Sequence, residues 1–355
     1  GSSSEQNPFI ALKRPHTTED TGEVFGFSFV YSGNFLAQVE VSTYEMTRVM
    51  MGINPQGFSW ELSRDEEFQT PEVVMVYSDK GLNKMSQTYH RLYRKRLMHG
   101  EWRDKARPIL LNNWEATYFD FNKDNLIAIA KEAAELNLDM LVLDDGWFGK
   151  RDDDFSGLGD WFVNEKKLCG TLSELVKEVH DMGLSFGLWF EPEMISEDSD
   201  LYRAHPDWAL VIPGRQPIRS RSQLVLDMSR EDVTDYLTER ICDIVEKADI
   251  QYIKWDMNRS LMAAYSALLP RDRQGELRHR YVLGLYKVLE AVTQRFPELL
   301  LEGCSGGGGR FDAGMLYYCP QIWCSDNTDA IERLRIQYGT SFGYPMSSVS
   351  AHVSV

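Results

Sequence analysis

An α/β fold with a TIM-type (β/α)8 barrel, incomplete here and preceded by part of an antiparallel β-sandwich, is what this sequence predicts, on three observations. Residues 1 to about 80 carry aromatic and β-branched residues between turn signals. From about residue 108, short apolar runs alternate with long amphipathic segments, as in repeated β–α units. The apolar runs end, one after another, in polar or catalytic-looking residues: Trp114, Asp144 with Asp145, Glu191 with Glu193, Asp256, Cys304 and Asp326. In a barrel the C-terminal strand ends all converge on one site, whereas a doubly wound sheet loads mainly those beside its switch point.

The elements follow in order. GEVFGFSFVYSGNFLAQVEVS (22–42) reads as strands around an SGN turn, and GFSWELSRDEEFQTPEVVMVYS (57–78) as further strands. A helix is expected over Leu82 to Met98, its Arg and Lys gathered at the C-terminal end where the helix dipole favours cations. ILLNNW, MLVLDDGW, LSFGLWFEPE, YIKWDMN, LLLEGCSGGGG, QIWCSDNTD and MSSVSAHVSV then supply about seven barrel strands. Runs of four to six apolar residues between helices are what parallel strands buried on both faces look like. QLVLDMS (223–229) is left as an excursion. Seven strands leave edges unpaired, so the expectation is a segment of a longer polypeptide. Residues 1–105 form a partial N-terminal β-sandwich with a linking helix. Residues 106–355 are expected to form the barrel, without its last strand. GSSS at the start fits either a truncated β region or a cloning remnant.

Composition narrows the functions. Acidic residues outnumber basic ones 54 to 38, a formal charge of −16, which repels phosphate backbones and argues against a nucleic-acid partner. No apolar run approaches the roughly 18 to 20 residues of a membrane span, and no signal peptide is visible. Five scattered cysteines argue against a disulfide framework and, with no CxxC or HExxH, against a zinc site. The expected compartment is a reducing cytoplasm. Nine Trp serve either a large core or a sugar-stacking cleft.

The carboxylates carry the chemistry. Asp256 lies two residues from Lys254 in YIKWDMNR, so both face one side of a strand, and the ammonium favours an ionised nucleophile. The same pattern serves equally well a buried structural Lys–Asp pair. Asp326 in IWCSDNTD has poorly hydrating neighbours, Trp323 and Cys324, which would raise its pKa as a general acid requires. Asp329 is close by, but fits the N-cap of the helix beginning AIERLRIQYG better. Asp144 and Asp145 suit sugar hydroxyls; as a calcium loop, DDG lacks the remaining spaced ligands. CSGGGGR (304–310) lacks the ending of a phosphate loop, and its glycines either let backbone approach a ligand or make a loose turn. Arg221 is either a hydroxyl ligand or a surface side chain.

Together, NNWEATYFDF, LDDGWFG, GLWFEPEM, YIKWDMNR, LEGCSGGGGRFD and the SDNTDA run resemble glycoside hydrolase family 36, the microbial α-galactosidases, in consistent order over residues 112 to 330. The resemblance implies a retaining α-galactosidase acting on raffinose- or melibiose-type oligosaccharides, with Asp256 as nucleophile and Asp326 as acid/base. It also implies that Asp144, Asp145, Lys254, Arg221, Cys304 and the Gly306 backbone hold galactose, that Trp114 and Trp189 wall the pocket, that no metal or organic cofactor is needed, and, by analogy, a tetramer. The two carboxyl groups are expected roughly 5 to 6 Å apart. The alternatives are a galactosyl transferase, an α-N-acetylgalactosaminidase, or a galactose-binding module without catalysis.

Overall fold

The short apolar runs become strands and the amphipathic segments between them become helices. The computed structural model describes residues 3, 5–262 and 264–354. The chain divides into two units: Gly1–His99, Arg271–His279 and Gly303–Val355 form one, and Gly100–Pro270 with Arg280–Glu302 forms the other.

The first unit begins with antiparallel strands, as expected: β1 (Phe9–Lys13), β2 (Val24–Phe29), β3 (Phe35–Val41), β4 (Thr47–Ile53) and β5 (Val73–Ser78). β2 lies between β1 and β5, while β3 and β4 form a separate hairpin running from Phe35↔Ile53 to Val41↔Thr47. Two local expectations are corrected. β1 and β4 lie outside the runs read as strands, and 57–72 holds no strand; there Trp60 and Phe68 pack around the His279 ring. The expected helix over 82–98 is an α-helix, Gly81–Leu92, ending in a π turn, Tyr93–Leu97, and that turn holds Arg94, Lys95 and Arg96.

In the second unit, β6 (Leu110–Asn112), β7 (Met140–Leu143) and β8 (Ser185–Phe190) are followed by two short strands, β9 (Met194–Ile195) and β10 (Leu224–Val225), then by β11 (Tyr252–Trp255) and β12 (Leu300–Gly303). β6, β7, β8, β11 and β12 lie side by side in that order. The pairs β6–β7, β7–β8 and β8–β11 are parallel. β10 pairs antiparallel with β9, so QLVLDMS is the excursion it was read to be. β7 is buried throughout, which is why it reads as a continuous apolar run. Gly187 in β8 faces Tyr252 of β11, and a Cβ there would sit 2.5 Å from the tyrosine ring. The helices Lys123–Glu135 and Leu172–His180 each start at a capping box, Asn122 with Asn125 and Thr171 with Glu174. Trp102, Met140, Val142, Tyr252 and Leu300 form one core cluster. The first unit also holds β13 (Gln321–Trp323) and β14 (Val349–Ser350), a parallel pair. The seven runs read as barrel strands are therefore all strands; Val355 lies outside the described residues. Among the described residues no helix is long and apolar enough to cross a membrane.

Candidate active site

Parallel register brings the polar strand ends of the second unit to one edge of the sheet. Asn112 pairs with Val142, Leu143 with Leu188, and Trp255 with Phe190. The residues just beyond, Trp114, Asp144, Asp145, Glu191 and Asp256, thus leave the sheet on the same side. The Asp256 N–H donates to the Phe190 carbonyl at 2.7 Å, carrying the pairing one residue past β11.

Asp256 is buried, and three N–H groups point at its carboxylate. Met257 N donates to Oδ1 at 2.9 Å, while Asn258 Nδ2 and Trp189 Nε1 donate to Oδ2 at 2.8 and 3.2 Å. Donors of this kind favour the ionised form. Trp189, expected as a pocket wall, is 2% exposed and gives its indole N–H to Asp256. Lys254 donates to Asp144 Oδ2 at 3.0 Å and forms an ion pair with it.

Asp144 and Asp145 have separate partners. Asp144 Oδ2 accepts from Asn112 Nδ2 at 2.6 Å as well as from Lys254, and its N–H donates to Asn113 Oδ1. Asp145 is gripped by Arg151, with Nε and Nη2 donating to Oδ2 at 3.1 and 2.8 Å. Burial outweighs the guanidinium and pushes the Asp145 carboxyl up to about 6. Each carboxylate already faces a cationic side chain, which disfavours a calcium reading of DDG. Trp114 is half-buried and meets Tyr118 and Phe119 edge-on.

Asn258 and Glu191 belong to the same site. Glu191 is 1% exposed, and its Oε1 accepts from Asn258 N at 2.6 Å and from Gln223 Nε2 at 2.7 Å. Burial, then the charge of Asp256, pushes its carboxyl up to about 8. Arg221 is exposed, has a positive φ of 50°, and donates to Asn258 Oδ1 at 2.7 Å. It therefore reaches Asp256 through Asn258. Asn258, Gln223 and Arg151 were not singled out in the sequence. Glu191 was noted only as a polar strand end, and the EPE run after a buried strand was the available signal.

Cys304, Gly306 and Asp326 lie in the first unit. Cys304 is buried, and its carbonyl accepts from Gly308 N at 2.8 Å. Ser305, Gly306, Gly307 and Gly308 all have positive φ, between 56° and 85°, and make a left-handed turn that only a glycine-rich run can hold. A Cβ on Gly307 would lie 2.6 Å from Asp326 N and 2.9 Å from its carboxyl carbon. The glycines thus admit the backbone of Asp326. Asp326 is exposed, and Trp323 Nε1 donates to its Oδ1 at 2.7 Å, so the apolar enclosure expected around it is not seen. Asp329 caps Ala330–Ser341, its Oδ1 accepting from Ile331 N and Glu332 N.

Family models match nearly the whole chain: the glycosyl hydrolase family 36 N-terminal domain over residues 1–63 and melibiase over residues 67–355. The chain belongs to glycoside hydrolase family 36. Within family 36, alpha-galactosidase AgaA of Geobacillus stearothermophilus is 62% identical over 353 residues, 99% of this chain and 48% of that protein. Alpha-galactosidase Mel36A of Lactobacillus acidophilus is 56% identical over 354 residues, 100% of this chain and 48% of that protein. The AgaA crystal structure matches with a TM-score of 0.98 at 61% identity, covering 100% of this chain and 49% of that one. Variants of AgaA have been solved in complex with raffinose and with stachyose. The chain spans about half the length of these family 36 relatives.

Proposed function

We propose that this chain carries the catalytic machinery of a retaining α-galactosidase that releases terminal α-galactosyl residues from raffinose- and melibiose-type oligosaccharides. The observation that carries the proposal is the Asp256 carboxylate, fixed by three N–H donors at the polar edge of a parallel sheet in a close relative of a raffinose-binding enzyme. A second supports the pairing with Asp326. The AgaA variants holding raffinose and stachyose bear substitutions at two aspartates 70 positions apart, as far apart as Asp256 and Asp326 are here.

Asp256 attacks the anomeric carbon while Asp326 protonates the glycosidic oxygen, giving a covalent galactosyl ester. Asp326 then takes a proton from water, whose oxygen attacks the anomeric carbon opposite the ester bond; that bond breaks, freeing the Asp256 carboxylate and galactose with retained configuration. Asp144, Asp145, Lys254, Arg221, Cys304 and the Gly306 backbone are assigned to the galactose hydroxyls, with Trp114 and Trp189 flanking the ring. The mechanism calls on no metal or organic cofactor. Residues 106–355 are assigned to a TIM barrel whose eighth strand and following β domain lie in the rest of the full-length protein, and residues 1–105 to part of a β-sandwich domain. An acidic cytoplasmic homo-oligomer acting on neutral sugars suits the charge.

The test uses the full-length protein and a nitrophenyl α-galactoside. Asp256→Ala is expected to lower kcat by at least about a thousandfold, with azide restoring part of it as the β-galactosyl azide. Asp326→Ala should spare the nitrophenyl substrate far more than raffinose, whose leaving group needs the proton. Undiminished turnover by Asp256→Ala refutes the assignment.

A further inference from the structure

Asp256 is held by groups that are themselves held. Asn258, two residues beyond it, turns its side-chain amide back onto Oδ2. That geometry depends on the Asn258 backbone, whose N–H is bound at 2.6 Å by Glu191 Oε1 from the end of the neighbouring strand β8. The same oxygen receives Gln223 Nε2 at 2.7 Å. The Gln223 carbonyl in turn accepts from Arg259 Nη1 at 2.6 Å. One buried oxygen therefore ties the segment after β11, and the excursion containing β10, to the sheet edge beside the nucleophile. We infer that Glu191 is a positioning residue for the nucleophile, anchoring Asn258 so that its amide and the Trp189 indole fix the Asp256 carboxylate. The inference rests on Asp256 being the nucleophile.

The charged groups around Glu191 are Asp256, at the end of β11, and Arg151, from the segment after β7, whose guanidinium also feels the Glu191 carboxyl. Arg221 and Arg259 act one step further out, on Asn258 Oδ1 and the Gln223 carbonyl. Burial and the nearby Asp256 push Glu191 up to about 8, so at neutral pH it is a neutral acid whose carbonyl oxygen accepts both donors. A glutamine at this position offers the same acceptor without a charge, whereas alanine offers none. Aligning a reacting carboxylate raises kcat without tightening substrate binding.

The experiment measures kcat and KM of the full-length protein for a nitrophenyl α-galactoside near pH 6.5. Glu191→Ala is expected to lower kcat by about 10- to 100-fold with KM changed less than about threefold. Glu191→Gln should restore kcat to within about threefold of the parent. Asn258→Ala, at a half-buried position, should show the same selective loss of kcat. The Glu191→Ala/Asn258→Ala double variant should lose no more than the worse single one, since both act through one bond. Should Glu191→Ala fail to fold, the Gln and Asn258 variants still decide. Glu191→Gln as impaired as alanine, a loss confined to KM, or multiplying losses in the double variant would each overturn the inference. A wild-type protein inactive on α-galactosides would overturn the assigned reaction instead, and active wild type with an unimpaired Glu191→Ala would overturn this inference alone.

Discussion

The surroundings of Asp256 and of Asp326 differ in kind. Asp256 is buried, receives three N–H donors, and has a second layer of side chains behind it. Asp326 is exposed, with one indole N–H on its carboxylate and a left-handed glycine turn against its backbone. The difference fits the two assigned roles. A nucleophile must be charged and fixed when it attacks, so burial among donors suits it. An acid/base residue must give up a proton and later take one from water, which an exposed carboxyl can do. The first environment combines two local donors, Met257 N and the Asn258 amide, with the distant Trp189 indole, and the second combines the local Trp323 indole with the Gly307 turn; each can be perturbed without touching either aspartate.

The largest effect is expected on the buried side, at Arg151. It is 2% exposed, grips Asp145 through two nitrogens, and donates to the Ser156 carbonyl at 2.9 Å. Arg151→Met leaves a buried carboxylate without its partner, and breaking such a pair costs about 3–5 kcal/mol. Thermal or urea unfolding of the full-length variant should show that loss at pH 7, shrinking toward pH 5 as Asp145 takes up a proton. A loss independent of pH would mean the guanidinium serves packing alone.

The same burial gives the parent protein a pH slope. Asp145 is pushed from 3.8 up to about 6 and Glu191 from 4.5 up to about 8. Both bind a proton more tightly folded than unfolded. Their stabilisation is therefore complete below their ordinary values and is lost as pH rises through about 6 and then about 8. Tm should fall between pH 5 and 8, and Glu191→Gln should flatten the upper part of that slope. An unchanged slope in Glu191→Gln would show that Glu191 does not titrate in this range.

On the exposed side the sensitive position is Gly307. Its φ of 79° disfavours an L side chain, and the Cβ would meet both the backbone nitrogen and the carboxyl group of Asp326. Gly307→Ala should cost about 1–3 kcal/mol in stability and lower kcat by displacing Asp326. Unaltered kcat would mean the glycine turn and the Asp326 backbone are independent.

How much of this was legible follows the same divide. The strands, and the carboxylates ending them, could be read because each motif is local: an apolar run followed by its polar end. The partners could not, because they depend on register between distant segments. Lys254 meets Asp144 across 110 residues, and Glu191 meets Asn258 across 67. Spacing put Lys254 and Asp256 on one face, but it gave no sign that the ammonium also meets Asp144, at the end of β7 two strands away. The glycine run was read as a loose turn or an approach to ligand; its positive φ values and its contact with Asp326 are set by the fold. β4 was missed because TRVMMGI, on a two-stranded hairpin, has no fully buried position and lacks a clean alternation of buried and exposed positions.

The smallest effect expected is also the one that separates two neighbouring carboxylates. Asp326 and Asp329 lie three residues apart in one polar segment, and spacing alone leaves both open as proton donors. Geometry divides them. Asp329 Oδ1 accepts from Ile331 N at 3.0 Å and Glu332 N at 2.9 Å, the donors left unpaired at the start of Ala330–Ser341. A carboxylate so bonded is engaged as the helix cap. Losing such a cap costs about 1 kcal/mol, a Tm shift of a few degrees, and Asp329→Ala should keep kcat on raffinose within about threefold of the parent. Asp326→Ala should show the reverse: little change in Tm and nearly complete loss of raffinose turnover. If Asp329→Ala instead lost raffinose turnover while keeping the nitrophenyl substrate, the acid role would pass to Asp329, and the contrast between a buried nucleophile and an exposed acid would have to be redrawn around the helix start.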